Sequence, residues 1–370
     1  TFTFFIIKNP KVNFKYLFFF SLFSISIIFS TFISIFHFIN FDISRLVFFY
    51  KYSLIFIIPL IVINILNNKK RLIQLLKIVN LIYYILVLWV FLYFYLRRFG
   101  YIDGNQRVSY PFSDYILSDA HVYSSYLVIS FIAYFEYTSN VLNHTKLFKL
   151  IVSFISIIAL FMTGSKSGIL ILFLYFLIYT IRGMQSMDKK FFKNFFSILI
   201  LIFVSFLFFN DLIKKIFISE LFSRTINYKI FFLDASVISR WNYLVKALDE
   251  IEINYFLLGN GPSGASLKWY DGGLSILLAH SGFLGVIFLF TYILSLIIDV
   301  KKYANIRINT KIYKSFILIF ILYIILGIIT EHFLLTRNLL PIATILCIMY
   351  CEIKFNYLNY NLEINKFYYQ

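Results

Sequence analysis

The sequence predicts an all-α fold: a polytopic integral membrane bundle of about ten transmembrane helices, with one large extracytoplasmic loop that contains an amphipathic helix. Three observations lead there. Of 370 residues, 61% are hydrophobic and only 14% are charged, whereas soluble domains run nearer half apolar and a quarter charged. Apolar runs of spanning length recur along the chain. Positive charge gathers in alternate loops, as membrane orientation requires. Together these exclude an ordinary cytosolic enzyme, a disordered chain and, despite a net charge of +17, a nucleic-acid binder. Two cysteines exclude a disulfide scaffold.

A spanning helix needs about 20 mostly apolar residues. Ten runs qualify or nearly so: 16–39, 46–66, 72–96, 120–135, 147–162, 169–181, 195–209, 274–298, 315–329 and 339–350. The first follows Lys8, Lys11 and Lys15 as a signal peptide would. It is too long for a signal core and lacks a small-residue exit, so it reads as a retained span. With Thr rather than Met at position 1, ten is read as a minimum. The organisation expected is seven spans in 1–209, an outer loop in 210–273, and three spans with a short cytoplasmic tail in 274–370.

Placing the N-terminus in the cytoplasm and alternating sides sorts the charges. Inside segments then hold 20 basic and five acidic residues; outside segments hold 13 basic and 12 acidic, with Lys51 inside the second span. Every strongly basic short loop falls on one side, so the +17 reports orientation, with both termini cytoplasmic.

Two outside segments are too long to be turns, 97–119 and the 64-residue stretch 210–273. In the second, Trp241, Leu244, Val245, Leu248 and Ile251 mark one apolar helical face. Ser236 or Ser239 can cap its start. This helix is expected to lie on the bundle mouth, apolar face down. Gly259-Asn260-Gly261-Pro262-Ser263-Gly264 then ends it.

Three constellations carry candidate chemistry. Thr163-Gly164-Ser165-Lys166-Ser167-Gly168 interrupts the apolar stretch between spans five and six. Span six starts there, so Ser165, Ser167 and Gly168 sit at a helix N-terminus, where free N–H groups and the helix dipole favour an anion and Lys166 adds a full charge. The alternative is a small-residue turn with Lys166 snorkelling to the headgroups. Ser239-Arg240-Trp241 opens the loop helix. An Arg there disfavours the dipole unless an anion offsets it, and Arg grips phosphate bidentately; the alternative is a solvated side chain. The third is the run into span eight: Asp271, then Leu274, Leu277 and Leu278, then His280, Gly282 and Gly285. Asp271 can accept a proton at the membrane mouth. His280, inside the span, is a functional candidate or a neutral His bonded to a carbonyl. Gly282 and Gly285 let a neighbouring helix approach.

Asp119 and His121, Glu331 and His332, and Lys51 are weaker candidates, while Cys347 and Cys351 share one face of span ten and read as packing. No metal-ligand spacing and no D-x-D motif is present, so neither a metal nor another cofactor is expected.

In this order the motifs resemble those of the O-antigen polymerase and O-antigen ligase superfamily. Residues 163–168 are similar to its T-G-S-R-[SG]-[GA] turn. Ser239-Arg240-Trp241, Ala247-Leu248 and Leu258-Gly259-Asn260-Gly261 resemble its S-R-x-x-x-W…A-L…G-x-G loop, with Trp displaced. Asp271 followed by Gly282-Phe283-Leu284-Gly285 is similar to its start of the next span, and His121-Val122-Tyr123 to an outer His-Pro motif. The likeness covers about residues 110–350; each motif is loose, and their order is the specific part. It implies metal-independent, inverting transfer of a glycan from undecaprenyl pyrophosphate, in a bacterial inner membrane, onto a second lipid-linked glycan (polymerase) or onto lipid A core (ligase). It implies that Lys166 and Arg240 hold the diphosphate, with Arg224, Ser165 and Ser167 assisting, and that Asp271, or secondly His280, is the base. A flippase and a chain-length regulator are further partners that such a system implies. Lys166 departs from the usual Arg, and Asp271 stands where ligases carry His, which favours the polymerase. A non-enzymatic glycolipid flippase or exporter is the remaining alternative. Against it, charge concentrates in one outer loop and no internal repeat is visible.

Overall fold

The computed structural model of the chain describes residues 14–37, 68–101, 108, 119–163, 165–186, 242, 244–245, 248, 257–261, 273–305, 307–329 and 336–368. Its elements are all helical, with no strand among the described residues. In chain order they are α1 (Phe14–His37), α2 (Lys69–Arg98), α3 (Asp119–Ala133) with a π-helical turn (Tyr134–Thr138) and a short helical turn (Ser139–Val141), α4 (Lys146–Met162), α5 (Lys166–Ser186), α6 (Gly273–Tyr303), α7 (Arg307–Ile329) and α8 (Thr336–Tyr368). Each expected run except the second and seventh falls on one of these helices; 46–66 and 195–209 lie outside the described residues.

Three helices are long and apolar enough to cross a membrane: Lys69–Arg98, Gly273–Tyr303 and Asn309–Ile328. The chain is a helical membrane protein. The physical sign is the character of the exposed faces. On α2, Leu72, Leu76, Val79, Tyr83, Leu86, Val90 and Tyr93 are buried, while Ile78, Leu81, Ile85, Leu88, Leu92 and Tyr95 are exposed. A surface helix of a soluble protein carries charge opposite its core face; here both faces are apolar. On α6, Phe283, Ile287, Leu294 and Ile298 likewise stand exposed at helical spacing.

The chain divides into two compact units, one of residues 80–238 and one of residues 1–79 with 239–370. In the first, α3 packs on α5 and α4, and α4 meets α5. Two of its tyrosine hydroxyls are spent internally. The Tyr83 hydroxyl donates to Ser156 Oγ at 2.5 Å, and the Tyr123 hydroxyl to the Leu86 carbonyl. Where α3 ends, the π turn shifts the side-chain register. Glu136 accepts from the Tyr175 hydroxyl of α5 at 2.7 Å, and Lys149 lies 4.3 Å from the centre of the Phe135 ring. His144, between the π turn and α4, sits 3.2 Å from the Tyr134 hydroxyl, and desolvation holds its imidazole below the usual pKa.

In the second unit, α6 packs on α1, α7 and α8, and α7 on α8. Asn309, fully buried near the start of α7, ties three segments together. Its side-chain amide donates to the Tyr303 carbonyl at 2.7 Å and the Ile353 carbonyl at 2.8 Å, and its Oδ1 accepts from Asn356 at 3.1 Å. Nearby Asp299 is 3.3 Å from Lys302. Cys347 and Cys351 are buried free thiols on α8, consistent with packing. Asn309→Ala should cost about 2 kcal/mol, since buried hydrogen-bonding groups would lose their partner. Thermal unfolding in detergent measures this, and Asn309→Asp, which keeps the size but cannot donate to two carbonyls, should be no better.

Candidate functional site

The start of α5 is built as the sequence expects. Thr163 ends α4, and its hydroxyl turns back to donate to the Leu160 carbonyl at 2.7 Å. The Ser165 carbonyl accepts the first helical bond, from Ile169 N at 3.2 Å, so Ser165 takes the cap position and Lys166, Ser167 and Gly168 form the first turn. Their N–H groups belong to the set that an α-helix leaves without intrahelical partners. Ser165 and Ser167 are both buried, and their hydroxyls lie 3.1 Å apart in a mutual hydrogen bond. In this conformation the two hydroxyls stabilise the turn, and the anion-binding capacity of the helix start resides in its backbone N–H groups.

Gly168 explains how this start is held in place. A Cβ there would collide with the hydroxyl of Ser124 on α3 and lie 3.3 Å from its Cβ. The first turn of α5 therefore rests on a fully buried serine through hydrogen alone. Ser124 belongs to a run of buried small polar side chains with Ser125 and Ser130. These serines went unremarked in the sequence because a Ser inside an apolar run reads as filler.

The second cluster surrounds Gly282. Inside α6, Gly282 has φ 60° and ψ −165°, a break in the helix. Residues 257–261 lie against it. A Cβ on Gly282 would stand 2.5 Å from the Leu257 carbonyl oxygen, and one on Gly259 would collide with the Gly282 backbone and stand 2.9 Å from the Ala279 carbonyl oxygen. Both residues have positive φ, so glycine is required twice over. This corrects the expectation for Gly282: it admits a stretch of loop backbone rather than a neighbouring helix, because its positive φ opens the helix on that side. Gly285 fits the expectation better. A Cβ there would come 3.5 Å from Ser26 Oγ of α1, although its nearest atoms would be those of Ser281 in its own helix.

His280 lies between these contacts and is only 6% exposed. Its carbonyl accepts a hydrogen bond from Ser30 Oγ of α1 at 2.6 Å. It belongs to the wall of the bundle. Arg224, Arg240 and Asp271 lie outside the described residues, as does the side chain of Lys166. Of the expected loop helix, Asn242, Leu244, Val245 and Leu248 are helical, but Val245 and Leu248 are exposed. The apolar face expected to lie down on the bundle is thus uncovered at these two positions. Lipid covers such a face when a helix lies in the interface. A small apolar groove between α6 and α7 is lined by Leu274, Leu277, Ile293, Ile324 and neighbours; none of its lining residues carries a polar side chain. Among the described residues no group of three His, Cys, Asp or Glu side chains converges as a metal site would require.

The fold defines the class, a helical membrane protein. No protein-family model, no curated protein and no solved structure matches the chain.

Gly168→Ala should cost about 1–3 kcal/mol by overpacking. Ser124→Ala, which removes the hydroxyl in the way, should restore most of that loss. A double-mutant cycle of thermal stability measures the coupling, and simple additivity would show that the two residues do not meet.

Proposed function

We propose that this protein is a glycosyltransferase that polymerises undecaprenyl-pyrophosphate-linked oligosaccharide repeat units into a surface polysaccharide, at the outer face of a bacterial plasma membrane. The reading takes about ten spans, cytoplasmic termini and a reactive outer loop. A flippase supplies the lipid-linked units, and a chain-length regulator sets the extent of growth. The observation that carries it is the start of α5: a helix N-terminus that begins with Lys166 and is set against buried serines, within the motif that the resemblance gives a diphosphate. The backbone contact between the G-N-G of the loop and the G-F-L-G of α6 adds support, because it makes physical neighbours of two motifs that follow one another in the resemblance.

The chemistry asks little of a metal. The acceptor hydroxyl attacks the anomeric carbon from the face opposite the diphosphate. A new C–O bond forms, the bond to the phosphate oxygen breaks with inversion, and the diphosphate leaves with the electron pair. The protein must orient the two substrates, stabilise growing negative charge and remove the hydroxyl proton. Lys166 and the first-turn N–H groups of α5 serve the diphosphate, with Arg240 and Arg224 from the loop. Asp271 takes the proton. His280, held in the wall with 6% of its surface exposed, ranks second for that role.

Glycan profiling of a deletion strain tests the assignment. Long chains should vanish while single repeat units still cross the membrane; loss of crossing itself would identify an exporter. Transfer by the purified protein to lipid A core, rather than to a second lipid-linked unit, would identify a ligase. Arg240→Ala should abolish chain growth with normal membrane insertion. Lys166→Arg should retain at least about tenfold more activity than Lys166→Ala, the loss of one charge-assisted contact being worth about 1.5–3 kcal/mol; equal activities would leave Lys166 a headgroup anchor.

A further inference from the structure

The hydrogen bonds around Gly282 form an exchange. In an unbroken helix the Ala279 carbonyl accepts from residue 283 and the His280 carbonyl from residue 284. Here Asn260 N donates to the Ala279 carbonyl at 2.9 Å, and Leu284 N donates to the Leu257 carbonyl at 3.0 Å. The His280 carbonyl, relieved of Leu284, accepts from Ser30 Oγ at 2.6 Å. Residue numbers rise from 257 to 260 while their partners fall from 284 to 279, so the segment runs antiparallel to α6. Ser281, just before the break, lies eight residues beyond Gly273, which at 1.5 Å per residue is about 12 Å along the helix. That is more than a third of a hydrocarbon core about 30 Å thick.

We propose that residues 257–261 are a re-entrant segment of the outer loop, held at membrane depth by Gly259 and Gly282, and that these glycines are positioning residues for glycosyl transfer; the second half of this statement rests on the polymerase reading. Irregular backbone survives at such depth only where its polar groups are satisfied by protein, and the exchange supplies partners for the Leu257 carbonyl and the Asn260 N–H. For the reaction, the clamp fixes one point of the loop against α6. It leaves 11 residues, 262–272, between itself and the start of α6, Asp271 among them. Shorter segments between fixed points lose less entropy when their side chains converge.

The test uses the full-length protein in membranes, with Cys347 and Cys351 replaced by Ala. Leu257→Cys and Leu284→Cys should be joined by a short bismaleimide and recovered as one linked peptide by mass spectrometry. Adding Gly259→Ala or Gly282→Ala should cut the yield at least fivefold. In vesicles, Gly259→Ala should slow chain growth at least tenfold, while stabilisation of the protein by the lipid-linked donor stays within twofold. If that variant does not insert, Asn260→Pro removes the donor to Ala279 and should behave alike. No link in the unclashed protein overturns the re-entrant placement. A lost link with normal growth overturns the positioning role, and so does a parallel fall of growth and donor stabilisation, which a merely structural glycine would give. If the link forms but the parent protein makes no polymer, the polymerase reading and the positioning role fall together and the re-entrant placement stands.

Discussion

The constraint on which this structure depends is that a peptide group in hydrocarbon must find its hydrogen bond within the protein. An uninterrupted helix meets it without help from elsewhere. A broken one meets it only with donors and acceptors brought from other segments. At Gly282 the chain takes the second course: an amide from residue 260, a carbonyl from residue 257 and a serine hydroxyl from α1 replace what the break removed. The break is therefore a junction where a loop, the first helix and the sixth are mutually required. The rest of that unit is arranged around it, with α6 packed on α1, α7 and α8.

The same constraint shapes a set of helix hydroxyls elsewhere. Ser26, Thr31, Ser156, Thr180, Ser281, Thr291 and Ser295 each return a hydrogen bond to a carbonyl three or four residues earlier. These side chains are small enough to sit between helices and polar only toward their own backbone, so they permit close packing without an unsatisfied group. Ser165 and Ser167 differ in being turned toward one another at a helix start. Ser124, against Gly168, differs in touching a neighbouring backbone at a glycine. These departures fall beside the turn to which the proposed function gives its anion.

Much of this was legible in the sequence, for identifiable reasons. Spanning helices declare themselves because twenty apolar residues have few other uses, and α2, α6 and α7 stand where hydropathy put them. The start of α5 was legible because a Gly-Ser-Lys-Ser-Gly run cannot continue an apolar helix unnoticed. Gly282 was visible as a residue but not as a break: a glycine in a membrane helix most often serves close packing, and the segment that fills the gap lies more than twenty residues earlier with no periodicity to link the two. Asn309 was invisible for a related reason. An asparagine in a basic loop reads as solvated, and only the fold brings it between the Tyr303 and Ile353 carbonyls.

The partners that the described contacts give the break in α6 all precede it in the chain: Ser30, Leu257 and Asn260. As the ribosome delivers residues 273–303 to the bilayer, each of these groups has already been synthesised. The interrupted helix can thus be healed as it emerges, without waiting for α7 or α8. An order of assembly is written into the direction of translation, and a circular permutation that moved α1 to the C-terminus would leave the His280 carbonyl exposed to lipid until synthesis had finished.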